Sequence, residues 1–260
     1  MISSTRNAAP KPVILAAGRG RRLAGGADQH PKILLRFGGM TLLQRHLEQL
    51  DRAGAGPATL VVGYQAEAIE AELADLGRSG SVTLIHNPDW QHGSAISLDH
   101  AASVLESGAP VLLMDGDVIY DHRLLERLMH STHANVLLLD RDLEPGDEPV
   151  KICVMGDARM VDFAKAPETP GDWHGESVGF FRLDSATAIE LAAAVRRLVK
   201  AGAESGERAT EYEAPLRVLI RADKSGTRFG FEDVTGLPWT EIDFMEDVEK
   251  ARALLPELAS

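Results

Sequence analysis

Six basic residues, Lys11, Arg19, Arg21, Arg22, Lys32 and Arg36, fall between positions 11 and 36, where Asp28 is the one acidic residue. Gly18 and Gly20 lie among them, directly after the short apolar run Val13-Ile14-Leu15-Ala16. Glycines there let the backbone approach an anion and turn N–H groups towards it, so the chemistry on offer is phosphate binding. Two familiar phosphate loops do not fit. The P-loop needs a Lys-Ser or Lys-Thr pair after its glycines, and the dinucleotide fingerprint G-x-G-x-x-G meets Leu23 at its third glycine. A second stretch, Leu112-Leu113-Met114-Asp115-Gly116-Asp117-Val118, is an apolar run ending in two carboxylates. At a strand end such a group reaches the sheet crest, where a hard cation bridging phosphates is held. The same pair could instead shape a turn and cap the next helix.

These residues must be positioned by a sheet. Val13–Ala16, Thr59–Val62, Val82–His86, Val111–Met114 and Val136–Leu139 read as strands, and Leu42–Leu50, Ala66–Leu76, Ala95–Leu105 and His122–His130 as helices. Ile33–Arg36 reads as a short extended piece closed by Gly38-Gly39. Strands alternating with helices build right-handed βαβ units, whose ligands gather at the strand C-termini. Further on, Val150–Val154 and Met160–Phe163 flank Gly156-Asp157 as a hairpin, and Val178–Arg182 reads as a strand. A long helix follows over Ser185–Ala201, broken at Gly202, then a helix over Glu211–Ile220. Phe229–Val234 and Trp239–Ile242 read as extended, and Phe244–Leu255 as the last helix. The fold class expected is α/β: a single Rossmann-like domain over residues 11–260, with a mostly parallel mixed sheet and helices on both faces.

At 260 residues with 44% hydrophobic content, the chain can bury a normal core. A formal charge of -12 argues against nucleic acid or an anionic membrane as partner, whereas one basic segment in an acidic protein suits a small polyanion. Cys153 stands by itself inside Ile152-Cys153-Val154, which excludes a disulfide framework or zinc spacing and makes it a core thiol. No apolar signal core precedes Pro10, and no run approaches the roughly 20 apolar residues of a membrane span, so a cytoplasmic protein with a flexible tail over residues 1–10 is expected.

The order Leu15-Ala16-Ala17-Gly18-Arg19-Gly20-Arg21-Arg22-Leu23, then Pro31-Lys32, resembles the signature of the nucleotidyltransferases that activate sugars, alcohols and phosphonates. The resemblance implies nucleotide contacts from Leu15, Ala16, Ala17, Gly18, Gly20, Arg22 and Lys32. It implies a magnesium ion (Mg2+) held by Asp117 and, before the final helix, by Asp243, which could otherwise be that helix's N-cap. Glu246 and Asp247 would then simply favour the helix N-terminus. Catalysis would rest on Lys32, Arg22, Asp117 and Asp243: an anionic acceptor oxygen attacks the α-phosphorus, pyrophosphate leaves, and no general base is required.

Asn87-Pro88-Asp89-Trp90-Gln91-His92-Gly93-Ser94-Ala95-Ile96-Ser97-Leu98 is similar to the branch that uses CTP and small phospho-alcohols or phosphonates. There Ser94 and Ser97 meet the nucleotide, although Ser94 is equally a helix cap. Glu148–Ile152, Phe163-Ala164-Lys165 and Gly175–Gly179 also resemble this branch, which includes choline-phosphate, 2-aminoethylphosphonate and inositol-1-phosphate cytidylyltransferases. The implied partners are a nucleoside triphosphate, CTP above others, and a small phosphate or phosphonate acceptor. Lys165, or Lys151, would grip the acceptor's phosphate. Trp90, Trp173 and Trp239, with the acidic Asp89, Glu176, Glu211, Glu213 and Asp233 flanking them or sharing the C-terminal half, would surround a cationic head group, with Glu176 and Glu211 at the acceptor, or the tryptophans would anchor loops. The chain lacks an asparagine pair at Gln91-His92-Gly93, which leaves the acceptor open, and a homo-oligomer is left open too. The alternatives are a sugar-1-phosphate nucleotidyltransferase using UTP, TTP or GTP, and a non-catalytic nucleotide sensor on the same fold.

Overall fold

Along a strand, successive side chains face opposite ways, and here the chain supplies apolar residues for both faces. Ile14, Leu60, Leu112 and Met114 point into one buried cluster, while Val13, Val61, Val111 and Leu113 point into another. The sheet is therefore covered on both sides. The computed structural model describes residues 8–23, 30–144, 146, 148–206 and 211–258. The expected N-terminal tail lies outside them through residue 7.

The elements run in the order β1 (Lys11–Ala16), β2 (Arg36–Phe37), β3 (Met40–Thr41), α1 (Leu42–Arg52), β4 (Thr59–Val62), α2 (Ala66–Asp75), β5 (Thr83–His86), α3 (Ser94–His100) and α4 (Ala102–Leu105). Next come β6 (Val111–Asp115), β7 (Val118–Tyr120), α5 (His122–His130), β8 (Asn135–Asp140), β9 (Lys151–Met155), β10 (Arg159–Ala164) and β11 (Trp173–Leu183). The chain continues through α6 (Ser185–Ser205), α7 (Glu213–Ala222), β12 (Phe229–Asp233), β13 (Trp239–Glu241) and α8 (Met245–Leu254).

Among the described residues the main sheet has nine strands, with β10-β9-β11-β6-β1-β4-β5 in order, β8 joined at β11 and β12 joined at β8. Its heart, β6-β1-β4-β5, is parallel, as is β8-β12. β11 runs antiparallel to β6, β8 and β9. Helices α1, α2, α5 and α8 supply Leu43, Ile69, Leu124 and Val248 to one face, and α3, α6 and α7 supply Leu98, Leu191 and Leu216 to the other. Each fully buried apolar side chain contributes about 1.5–3 kcal/mol, so both faces hold the sheet. The protein is a mixed α/β single domain with a parallel centre.

Four local expectations differ from what is observed. Lys32–Leu34 is a single 3-10 turn rather than extended backbone, because Leu34 and Leu35 amides bond back to the carbonyls of Pro31 and Lys32. The helix expected over Ala95–Leu105 divides at Ala101. β11 starts well before Val178, its pattern masked by Gly175 and Gly179. The helix α6 runs past Gly202 and ends instead at Gly206, which takes a left-handed φ of 73°. Among the described residues no helix is long and apolar enough to cross a membrane.

Candidate active site

β1 delivers the glycine loop to the sheet's C-terminal edge, and the Gly116 amide donates to the Leu15 carbonyl (3.0 Å), tying the Asp115–Asp117 turn to its base. Gly20 has φ of 65°, and a Cβ there would lie 2.8 Å from the Lys32 Cγ. The glycine is thus needed for the lysine stem to pass. The 3-10 turn then raises Lys32, whose Nζ donates to Asp117 Oδ2 at 2.8 Å and to Asp243 Oδ1 at 2.6 Å. Burial alone would lower the pKa of this ammonium, but the two carboxylates outweigh it and hold it above the ordinary lysine value.

The two aspartates, remote in sequence, are brought together by a small ribbon that the sequence reading did not anticipate. β7 pairs antiparallel with β13, opposing Val118 to Glu241, and the Ile242 amide donates to the Asp117 carbonyl at 3.0 Å. Asp243 is not the N-cap of α8. Instead Asp247, in that helix's first turn, accepts from the Asp243 amide (3.0 Å) and the Phe244 amide (2.8 Å), which frees the Asp243 carboxylate to face Lys32. Burial would raise the Asp243 pKa, yet Lys32 and Arg22 bring it below the usual carboxylate range. Asp247 therefore has a positioning part beyond stabilising the helix.

Glu241 is the site residue that sequence reasoning missed. One oxygen each of Asp117, Glu241 and Asp243 lie within 4.8 Å of one another, an all-oxygen set that a hard divalent cation would fit. The signal was present in the run Glu241-Ile242-Asp243, whose alternate residues share a face of an extended segment. His46, on α1, contacts the turn that carries Asp117. It is buried with Nε2 3.3 Å from the Gly116 carbonyl, and burial draws its pKa down to about 4, so it meets that carbonyl as a neutral donor.

These groups open on a cleft of 650 Å³. Leu15, Ala17, Gly18, Arg22, Lys32, Ser94, Ser97, Trp90, Lys165, Glu211, Asp117, Glu241 and Asp243 line it, and Ala16 and Gly20 line a smaller adjoining one of 200 Å³. Arg22 donates to Asp243 at 3.2 Å and to Glu148 at 3.0 Å. Lys165 donates to Glu148 at 2.8 Å. Ser94 is not the cap of α3, whose N-cap is Gly93; its hydroxyl donates to Glu211 and accepts from the Tyr212 amide. Ser97 accepts from Asn87 Nδ2 at 3.0 Å. Lys151 is turned away, donating to the Lys165 carbonyl.

Three residues expected at the acceptor lie elsewhere. The Trp173 indole N–H is bound by the Gly156 carbonyl, and its ring packs on Phe231 under Arg141. Trp239 donates to Asp140 Oδ2 at 2.7 Å, and Glu176, buried behind the sheet edge, accepts from the Glu144 amide at 2.9 Å. Trp173 opens β11 and Trp239 opens β13, and both indoles fasten these strand ends by hydrogen bonds rather than facing the cleft. In their place stands Asp115, buried, accepting from the Tyr212 hydroxyl at 2.7 Å. Burial, with Asp117 next, pushes its carboxyl well above the usual range.

The chain is 33% identical over 145 residues to a CMP-5'-(3-aminopropyl)phosphonate synthase of Streptomyces rubellomurinus, covering 55% of this chain and 23% of that protein. It is 29% identical over 246 residues to a bifunctional IPC transferase and DIPP synthase of Rubrobacter xylanophilus, covering 93% of this chain and 51% of that one. The chain thus spans from a quarter to a half of the length of these curated relatives. Among solved structures, the inositol-1-phosphate CTP transferase of T. maritima superposes with a TM-score of 0.72 at 22% identity, covering 98% of this chain and 99% of that one. The CTP:phosphocholine cytidylyltransferase of Streptococcus pneumoniae gives 0.72 at 21%, covering 95% and 99%. These two show a shared fold. The family model described as MobA-like NTP transferase domain matches residues 12–166, and this chain belongs to that family.

Proposed function

We propose that the protein is a cytidylyltransferase, moving CMP from CTP to a small phosphorylated alcohol or phosphonate with release of pyrophosphate. The observation that carries this reading is the Lys32 ammonium held between Asp117 and Asp243 beside the glycine loop. The curated relatives whose names include CMP-phosphonate synthesis and IPC transfer support the nucleotide and the acceptor class.

In the reaction, an acceptor oxygen forms a bond to the α-phosphorus while the bond from that phosphorus to the β-bridging oxygen breaks. The electron pair leaves with pyrophosphate. The Gly18–Gly20 amides and Arg22 would hold the phosphates, and Lys32 would offset charge growing on the α-phosphoryl oxygens. Asp117, Glu241 and Asp243 would hold Mg2+, which when bound adds positive charge against the triphosphate. Lys165 would receive the acceptor's phosphorus end. Phosphate and phosphonate oxygens are ionised at neutral pH, so the site needs orientation and charge rather than a base.

A triphosphate panel scored by pyrophosphate release tests the reading. CTP with a phosphonate or phospho-alcohol acceptor should give the highest kcat/KM. Preference for UTP, TTP or GTP with a sugar 1-phosphate would replace it by sugar activation, and tight CTP binding without release for any acceptor would replace it by a nucleotide sensor.

A further inference from the structure

The cleft is lined by more carboxyl groups than basic side chains, and the surplus is local. The segment leading into α7 is clamped at its start: Tyr212 bonds Asp115 and Ser94, and Glu211 receives the Ser94 hydroxyl. Glu213 follows and lines the cleft, yet its Oε2 is shut off from solvent and accepts a hydrogen bond from no described residue. Lys32, Arg22 and Lys165 are engaged by Asp117, Asp243 and Glu148. A buried carboxylate oxygen without a donor is costly, and the side chain responds: burial pushes its pKa up to about 7.

We propose that Glu213 is the receptor for a primary ammonium at the far end of the acceptor, so that the substrate is a short zwitterion with a phosphonate or phosphate at one end and an amine at the other. This rests on the nucleotidyl-transfer reading and names its acceptor class. Glu211, which lines the same cleft, adds a second carboxyl group beside Glu213, while Lys165, also on that cleft, suits the anionic end. A polyol would bring hydroxyl donors but no charge to balance the acids. A trimethylammonium group has no N–H for Oε2, and two of the three tryptophans that would cage it face other parts of the molecule.

The test begins with the wild-type protein, so it does not depend on a variant that folds. With CTP and Mg2+, pyrophosphate release is measured for 2-aminoethylphosphonate and for propylphosphonate, which replaces the amine by a methyl group of the same reach. The amine should be preferred in kcat/KM by about 10- to 100-fold, the range of a hydrogen bond to a charged group. Phosphocholine and inositol-1-phosphate should fall below it. Glu213→Gln should collapse the ratio of the two phosphonates towards unity. Equal rates for amine and methyl acceptors, phosphocholine or inositol-1-phosphate as the best substrate, or an amine preference that survives in E213Q would overturn the ammonium site while leaving cytidylyl transfer intact. Absence of pyrophosphate release from CTP with every acceptor would overturn both.

Discussion

At the residue scale, the site depends on Lys32 having two anionic neighbours and a glycine beside its stem. Replacing it by methionine keeps the stem and removes the charge, so the substitution should lower kcat by about 100- to 1000-fold and, because Asp117 and Asp243 lose their shared partner, should also lower thermal stability. A rate within a few fold of wild type would show that the charge is not used. Gly179 is the second position where a missing side chain matters. Its φ is 80°, and a Cβ would fall 2.3 Å from Asp115 Oδ2. Gly179→Ala should cost about 1–3 kcal/mol in urea unfolding, as expected for a strained backbone position, and should disturb Asp115. Glu176 predicts a pH effect. Burial raises its pKa from 4.5 to about 7, so above 4.5 the unfolded chain releases a proton that the folded protein keeps. Its contribution to stability is therefore full below 4.5, falls as pH climbs to about 7, and stays low beyond. Glu176→Gln, which can still accept from the Glu144 amide, should gain in Tm relative to wild type more at about pH 8 than at about pH 4; the reverse order contradicts the assignment.

At the element scale, three small devices turn a common sheet into a site. The β7–β13 ribbon joins the Asp117 turn to Asp243, the 3-10 turn raises Lys32, and the bulge at Gly179 lets β11 change partners from β9 to β6. A fourth tie holds the acceptor side. Asp162 in β10 is fully buried and accepts from Arg217 of α7 at 2.6 and 2.9 Å, as well as from the Phe163, Glu168 and Thr169 amides. That network anchors the helix which begins at Glu213. Arg217→Met leaves the Asp162 charge without its main partner and should destabilise the protein by about 3–5 kcal/mol. Chemical denaturation measures this, and a loss under about 1 kcal/mol would mean the amides alone satisfy Asp162.

At the scale of the whole molecule, the parallel heart of the sheet was legible because β-branched and apolar runs alternate with amphipathic helices, as at Thr59–Val62 and His122–His130. The glycine loop, Lys32 and Asp117 were legible through residue type and order, and Asp243 through the family resemblance of its segment. What escaped was pairing that no local pattern encodes. Val118–Tyr120 is too short to announce itself as a strand, and it becomes one through a partner more than a hundred residues on. The tryptophans misled for a related reason: an indole is equally fit to line a ligand or to fasten the chain, and only tertiary contacts decide between them. Glu213 was grouped with other acids, but its solitary oxygen is a property of the packed molecule. Charge was only partly legible: of the six basic residues between positions 11 and 36, Arg19, Arg22 and Lys32 line the cleft, whereas Arg36 pairs with Glu72 of α2.

The most direct measurement follows the α-phosphorus itself. With CTP labelled at the α-phosphate, Mg2+ and 2-aminoethylphosphonate or another small phosphonate acceptor, the label should pass into the acceptor product while unlabelled pyrophosphate is released, and both Asp117→Asn and Asp243→Asn should abolish transfer to a similar degree. Wild-type transfer by either variant, or label released as free CMP regardless of acceptor, would contradict a shared centre built from these distant segments.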